Sequence, residues 1–209
     1  MRFIALASGR GSNVAALIDA QHSGRLGTAQ IAGLVVNRPG CGALAHADSA
    51  DIPGRVVDHK AYASRSEFEE ALLLALKPLK PDGLVLAGFM RILTPYFLDR
   101  APWPIVNLHP ALLPAFPGAN AIEEAFEAQV RVSGCSTHLV TAEVDGGPVL
   151  MQGVVPLQPD DTLDTFKERI HAMEHRVLPA TLGALSQGHL RIAEGQVHSA
   201  PGFEPCLLK

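Results

Sequence analysis

Long hydrophobic runs are missing from this sequence. No apolar stretch approaches the roughly 20 residues that a membrane-spanning helix needs, so no membrane partner is expected. Cysteine is scarce as well. Cys41, Cys135 and Cys206 are odd in number, widely spaced and free of any Cys-x-x-Cys pair, which excludes a disulfide framework or a zinc ribbon and suits the reducing cytoplasm. Aromatic residues make up only 5%, so the interior must be built from aliphatic side chains. No lysine-arginine block exists, and the formal net charge is −4. Without such a block nothing can follow a phosphate backbone, so nucleic acid is not an expected partner and any anionic ligand must be held locally.

What is present is a chain of 209 residues, 47% hydrophobic and 18% charged, which is long enough for a substantial core and is read as one domain. The apolar start Phe3-Ile4-Ala5-Leu6-Ala7 is shorter than a signal-peptide core and runs straight into Ser8-Gly9-Arg10, so it reads as a first strand. Short runs of Val, Ile and Leu then alternate with amphipathic stretches, the pattern of parallel strands joined by helices. Strands are expected at residues 2–7, 31–36, 55–58, 83–88 and 104–109, and helices near 13–23, 40–50, 64–78 and 94–99. Beyond Gly118 the pattern predicts a helix at 120–128, then strands at 136–143 and 148–157 separated by the turn signal Asp145-Gly146-Gly147-Pro148. A helix from Thr162 to about Leu185, a final strand at 190–198 and a loose tail from Pro201 complete the chain. The expected fold is therefore α/β and Rossmann-like, a mostly parallel sheet flanked by helices with antiparallel strands in the C-terminal part. Residues 1–190 form the body of the single domain and 191–209 its last strand and tail.

Four segments carry chemistry. The first, Ser8-Gly9-Arg10-Gly11-Ser12-Asn13, lies between the first strand and the first helix. Glycines there allow close backbone approach, and amides at a helix N-terminus cradle phosphate. No Gly-Lys-Ser/Thr follows, so it is not a Walker loop, and Ala15 and Ala16 stand where a dinucleotide fingerprint needs its third glycine. A plain strand-to-helix turn with Ser12 or Asn13 as N-cap is the competing reading.

The second segment is Ile105-Val106-Asn107-Leu108-His109-Pro110. Residues two apart on a strand share a face, so Asn107 and His109 project together, and Pro110 stops the strand where open α/β sheets bind ligands. An amide donor beside an imidazole suits acyl chemistry, the one steadying an oxyanion and the other moving a proton. A strand end whose polar groups merely satisfy neighbouring loops is the alternative. The third is Asp145, in the turn after a strand bearing Ser136 and His138; a carboxylate near an imidazole orients it and favours its protonated form. An ordinary Asp-Gly-Gly turn competes. The fourth, His171-Ala172-Met173-Glu174-His175, spells the H-x-x-E-H of one class of zinc peptidases. No further acidic ligand sits on a convincing helix, so no metal is expected there, and a polar helix face is the favoured reading.

In combination, Ser-Gly-x-Gly-Ser-Asn, Leu-Ala-Gly-Phe-Met-Arg-Ile-Leu, Asn-Leu-His-Pro-x-Leu-Leu-Pro, Asp-Gly-Gly-Pro and Glu-His, running from Met1 to about Leu190, resemble the phosphoribosylglycinamide formyltransferases. That family belongs to the formyl-folate transferases. The resemblance implies transfer of a formyl group from 10-formyltetrahydrofolate to the amine of glycinamide ribonucleotide, in purine biosynthesis, by a cytoplasmic monomer or homodimer acting on small molecules without a metal. It makes Asn107, His109 and Asp145 catalytic, with His109 and Asp145 handling protons and Asn107 binding the formyl oxygen. By the same resemblance Gly11, Ser12 and Asn13 hold the acceptor's phosphate, and Glu174 reaches its ribose with His171 close by. Met90, Arg91, Ile92 and Leu93 match the folate-side segment, and Arg65 a basic position near folate or phosphate. This chain departs from many members in carrying Asn120 where they have histidine. Asparagine cannot take up a proton at neutral pH, so the resemblance gives that position no proton role.

Three rivals remain in view. Formyltetrahydrofolate deformylases carry a regulatory domain ahead of the first strand and usually show His-His where this chain has His109-Pro110. Methionyl-tRNA formyltransferases share His-Pro-x-Leu-Leu-Pro but add an RNA-binding domain that is not expected here. A non-catalytic nucleotide sensor would need the glycine loop alone, whereas Asn107, His109 and Asp145 are all present.

Overall fold

Phe3–Ala7, Ile31–Val36 and Gly83–Leu86 contain no charged side chain, the composition of strands covered on both faces. The structure, a computed structural model describing residues 1–208, makes them the centres of β1 (Arg2–Ala7), β2 (Gln30–Val36) and β4 (Gly83–Leu86), with β3 (Gly54–Val56) following β2. They pair in parallel in the order β3-β2-β1-β4. All lie in Met1–Val106, the first of two compact units into which the chain divides.

Parallel neighbours need crossover connections, supplied by α1 (Ser12–His22), α2 (Ala43–Asp48) and α3 (Arg65–Leu76); the short α4 (Pro95–Leu98) follows β4. Buried residues recur at helical spacing, Val14, Leu17 and Ile18 on α1 and Phe68, Leu72, Leu73 and Leu76 on α3. Covering each such side chain contributes about 1.5–3 kcal/mol, and that burial sustains α1 and α3. Ser64 starts α3 as N-cap, accepting from the Glu67 amide at 3.2 Å.

The second unit, from Asn107 on, takes in the end of β5 (Ile105–His109), then α5 (Ala121–Glu127), β6 (Val132–Leu139), β7 (Val149–Pro156), α6 (Leu163–Ser186), β8 (Leu190–Ala193), β9 (Gln196–Ser199) and β10 (Cys206–Leu208). β6 and β7 pair antiparallel and β10 runs parallel to β7, while β8 and β9 form a separate antiparallel ribbon. Gly153 on β7 lets α6 close in: a Cβ there would lie 2.5 Å from both Met173 and Val177. The fold class is as the alternation of runs predicts, α/β and mostly parallel, with the antiparallel strands towards the C-terminus.

Three details differ from the sequence reading. β6 begins at Val132, four residues ahead of the expected 136, because its ladder with β7 starts at Val132↔Pro156. The expected strand at 190–198 is instead the hairpin β8–β9, turning at Glu194 and Gly195, both with positive φ (52° and 72°). A two-residue turn with both φ positive favours Asn or Gly, so glutamate there gives no turn signal. The tail, expected loose from Pro201, contains β10, whose pairing with β7 runs from Cys206↔Gln152 to Leu208↔Val154. Lys209 lies outside the described residues.

Candidate active site

β5 ends at His109 because Pro110 lacks the amide to continue the ladder. Asn107 and His109, two residues apart, both reach a cluster in the second unit. Asn107 Nδ2 lies 3.0 Å from His138 Nε2, and His109 Nδ1 lies 3.3 Å from Asp145 Oδ2. Asp145 Oδ1 is 3.5 Å from the same His138 nitrogen. Four side chains thus form one connected group, with His109 and His138 almost wholly buried.

Local structure delivers each member. The β6–β7 register slips between Thr137 and His138, a bulge of the kind that re-aims a side chain. The chain then folds back tightly, because Gly147 sits where a Cβ would come within 1.8 Å of the Leu139 carbonyl oxygen. Only glycine permits that approach, and it brings Asp145, with φ at 54°, beside the histidines. Ser136, fully buried, donates to the Ala111 carbonyl at 2.7 Å and accepts from the Leu113 amide at 3.0 Å, which fixes the chain beyond β5.

The hydrogen bonds define roles. His138 Nδ1 faces the Leu139 carbonyl at 2.9 Å, so that nitrogen carries a proton and, in the neutral ring, Nε2 accepts from Asn107. The Asn107 amide is thereby oriented with its second N–H free to meet an oxyanion. Both His109 nitrogens face oxygens, Nδ1 the Asp145 carboxylate and Nε2 the Phe116 carbonyl at 2.7 Å; only the doubly protonated ring donates to both. Asp145 also accepts from the Gly118 amide at 2.9 Å. Burial opposes its ionisation, but the hydrogen bond that His138 gives when its ring is protonated, the Gly118 amide and the charges of the two histidines outweigh that, holding its carboxyl below the ordinary aspartate value.

In the first unit, the loop after β1 ends at Gly11, which caps α1 with φ at 86° and lies so near Ala43 that a Cβ would stand 2.5 Å from its Cα. No side chain caps α1. Neither Ser12 nor Asn13 is the N-cap that the competing reading supposed, so the first-turn amides are left for another acceptor. The Asn13 side-chain oxygen is buried without a partner. Ser8 draws the next segment in, accepting from the Met90 amide at 2.8 Å. Met90 and Ile92 are largely exposed, at 73% and 60%, and Leu93 is buried. Arg91 lies over the Phe68 ring, and Arg65 donates to the Ile92 carbonyl. A groove of about 610 Å³ beside α3, lined by Tyr62, Glu67, Glu70, Leu74 and Tyr96, includes none of these residues.

On α6, His171 Nδ1 lies 2.9 Å from Glu174 Oε2, while the buried Nε2 of His175 has no partner. Burial, resisted by Glu174, lowers the His175 pKa. Among the described residues no group of three His, Cys, Asp or Glu side chains is arranged to hold a metal ion. Asn120 stands at the N-cap of α5 without a side-chain capping bond.

Sequence reasoning therefore named three members of the cluster and missed the fourth. The signal for His138 was its alternation with Ser136 on a strand that ends at the Asp145 turn. It also missed Glu69, a carboxylate inside the apolar stripe of α3 and four residues beyond Arg65, where a helical projection would have exposed it.

Residues 1–182 match the model of the formyl transferase family. Over 189 residues, 90% of this chain, the sequence is 42% identical to the trifunctional purine biosynthetic protein adenosine-3 of Gallus gallus, of whose length the chain spans 19%. It is 36% identical over 189 residues to the phosphoribosylglycinamide formyltransferase of Haemophilus influenzae, matching 90% of this chain and 89% of that protein. The crystal structure of glycinamide ribonucleotide transformylase 1 from Symbiobacterium toebii superposes with a TM-score of 0.89 at 37% identity, covering 95% of this chain and 93% of the other.

Proposed function

Since this chain belongs to the formyl transferase family, we propose that it transfers the formyl group of 10-formyltetrahydrofolate to the primary amine of glycinamide ribonucleotide, in the cytoplasm and as a step of purine biosynthesis. The observation that carries the proposal is the connected cluster of Asn107, His109, Asp145 and His138. An amide donor, an imidazole and a carboxylate joined in one chain of contacts are what acyl transfer to an amine requires.

In this reading the neutral amine attacks the formyl carbon, forming the new C–N bond and a tetrahedral oxyanion. Asn107, oriented by His138, donates its free N–H to that oxygen. Collapse breaks the bond from the formyl carbon to the folate nitrogen, which leaves with a proton supplied by His109. The proton lost by the attacking nitrogen returns to His109 with the help of Asp145, so the net change is one proton moved from amine to departing nitrogen. His109 Nε2 is held by the Phe116 carbonyl here, and that bond must give way for the ring to serve a ligand.

The remaining residues divide between the two substrates. Gly11, Ser12 and Asn13 receive the acceptor's phosphate, supported by the uncapped first-turn amides of α1, which are donors without a side-chain partner. Glu174, paired with His171, takes the ribose hydroxyls. Met90, Arg91, Ile92 and Leu93, with Arg65 bonded to the Ile92 carbonyl, take the folate. The deciding experiment is a transfer assay with 10-formyltetrahydrofolate in the presence and absence of glycinamide ribonucleotide. Formylated ribonucleotide is expected; release of formate at the same rate without the acceptor would point to a hydrolase instead.

A further inference from the structure

Arg65, Phe68 and Glu69 stand three and four residues apart on α3, so they project side by side. All three engage the loop between β4 and α4. Arg65 donates to the Ile92 carbonyl, and the Arg91 guanidinium lies 5.6 Å from the Phe68 ring centroid. Glu69 Oε1 accepts from the Thr94 amide at 2.8 Å, and Oε2 accepts from the Thr94 hydroxyl.

Glu69 is only 1% exposed. A carboxylate so far from water is costly unless its oxygens are bonded and a positive charge lies close. Both oxygens are bonded here, and Arg65 Nε lies 3.9 Å from Oε1. Neighbouring Leu72, Leu73 and Leu76 are apolar, so packing by itself would favour another leucine at this place. Thr94 shows the same commitment from the other side. It occupies the N-cap of α4, where a threonine hydroxyl ordinarily accepts from a helix amide, yet it makes no capping bond. Its hydroxyl is given to Glu69 instead.

We propose that Glu69 is a positioning residue for formyl-folate. Through Thr94 and Arg65 it fixes the backbone from Met90 to Thr94 in the conformation that receives the ligand, without touching the ligand itself. This rests on the reading of that segment as the folate side.

The test compares Glu69→Gln, which keeps size but removes the charge and one acceptor oxygen, with Thr94→Val, which removes only the hydroxyl, and Thr94→Ser, which retains it. A bond to a buried charge is worth roughly tenfold or more in affinity. Glu69→Gln and Thr94→Val should therefore raise the KM for 10-formyltetrahydrofolate, and the Kd of an unreactive folate analogue, roughly tenfold. The KM for glycinamide ribonucleotide and kcat at saturation should stay within about twofold. Thr94→Ser should bind as the unsubstituted protein does. Unchanged analogue affinity in the first two variants, or equal rises in both KM values, would overturn the proposal. If Glu69→Gln does not fold, Thr94→Val decides alone. Failure of the underlying site reading looks different, because then the unsubstituted protein itself binds no folate analogue and transfers no formyl group.

Discussion

The side-chain amide of Asn107 is held by His138, its Nδ2 lying 3.0 Å from the ring Nε2. The contact makes the orientation of Asn107 depend on a buried histidine of another strand. Asn107→Ala should lower kcat roughly 100- to 1,000-fold, the effect of losing one oxyanion donor, with both substrates still bound. His138→Phe should cause a smaller loss of the same kind, since the amide remains but is free to turn. Single-turnover rates check both, and a His138 variant at full rate would remove the orienting role.

Asp145 gives a pH dependence with a definite sign. Its carboxyl is held below the ordinary aspartate value, so the folded protein binds fewer protons than the unfolded chain through the acid range. The stability it contributes is fully present above the unfolded pKa and is lost as pH falls through the lower, folded one. Asp145→Asn removes that contribution. Urea denaturation of both proteins should show a stability gap at neutral pH that narrows below the ordinary aspartate range; a gap that widened in acid would contradict the assignment.

Asn13→Ala should weaken acceptor binding and little else. The phosphate it is proposed to meet lies far from the bond being formed, so the lost energy is uniform binding and appears in KM for glycinamide ribonucleotide. A rise of about tenfold is expected, as for a hydrogen bond to a charged group. Folate-analogue affinity should hold. A variant that lost the folate analogue and kept its acceptor affinity would reverse the placement of the two sites.

His171 and Glu174 are bonded to each other and are assigned to the acceptor. Exhaustive chelation should therefore leave turnover unchanged. Stoichiometric zinc by elemental analysis, with activity lost on its removal and regained on its return, would revive the H-x-x-E-H reading.

Much of this was legible in the sequence because strand alternation is a strict rule. Asn107 and His109 had to share a face, and they do. Asp145 was legible as a turn residue, but its arrival beside His109 depends on Gly147 backing onto Leu139, a tertiary contact with no local signature beyond a pair of glycines. His138 was named on its strand but given no site role, because a bulge aims it, and bulges come from pairing with a partner strand. Glu69 escaped because a glutamate on a helix reads as solvated. Its burial follows from Thr94, 25 residues away. The Glu194-Gly195 turn was invisible for the same reason in miniature, since the strands around it impose a backbone geometry that glutamate does not advertise.

Met90 stands 73% exposed in the segment assigned to the folate. A thioether so open to solvent is a target for peroxide, and conversion to the sulfoxide replaces an apolar flexible group with a polar, chiral one. The core would be untouched, since Met151 and Met173 are buried. Oxidative damage would thus reach ligand affinity before it reached the fold, and an occupied site would shield itself. With Met90 at the proposed folate site, the protein's tolerance of oxidants would depend on how much folate surrounds it.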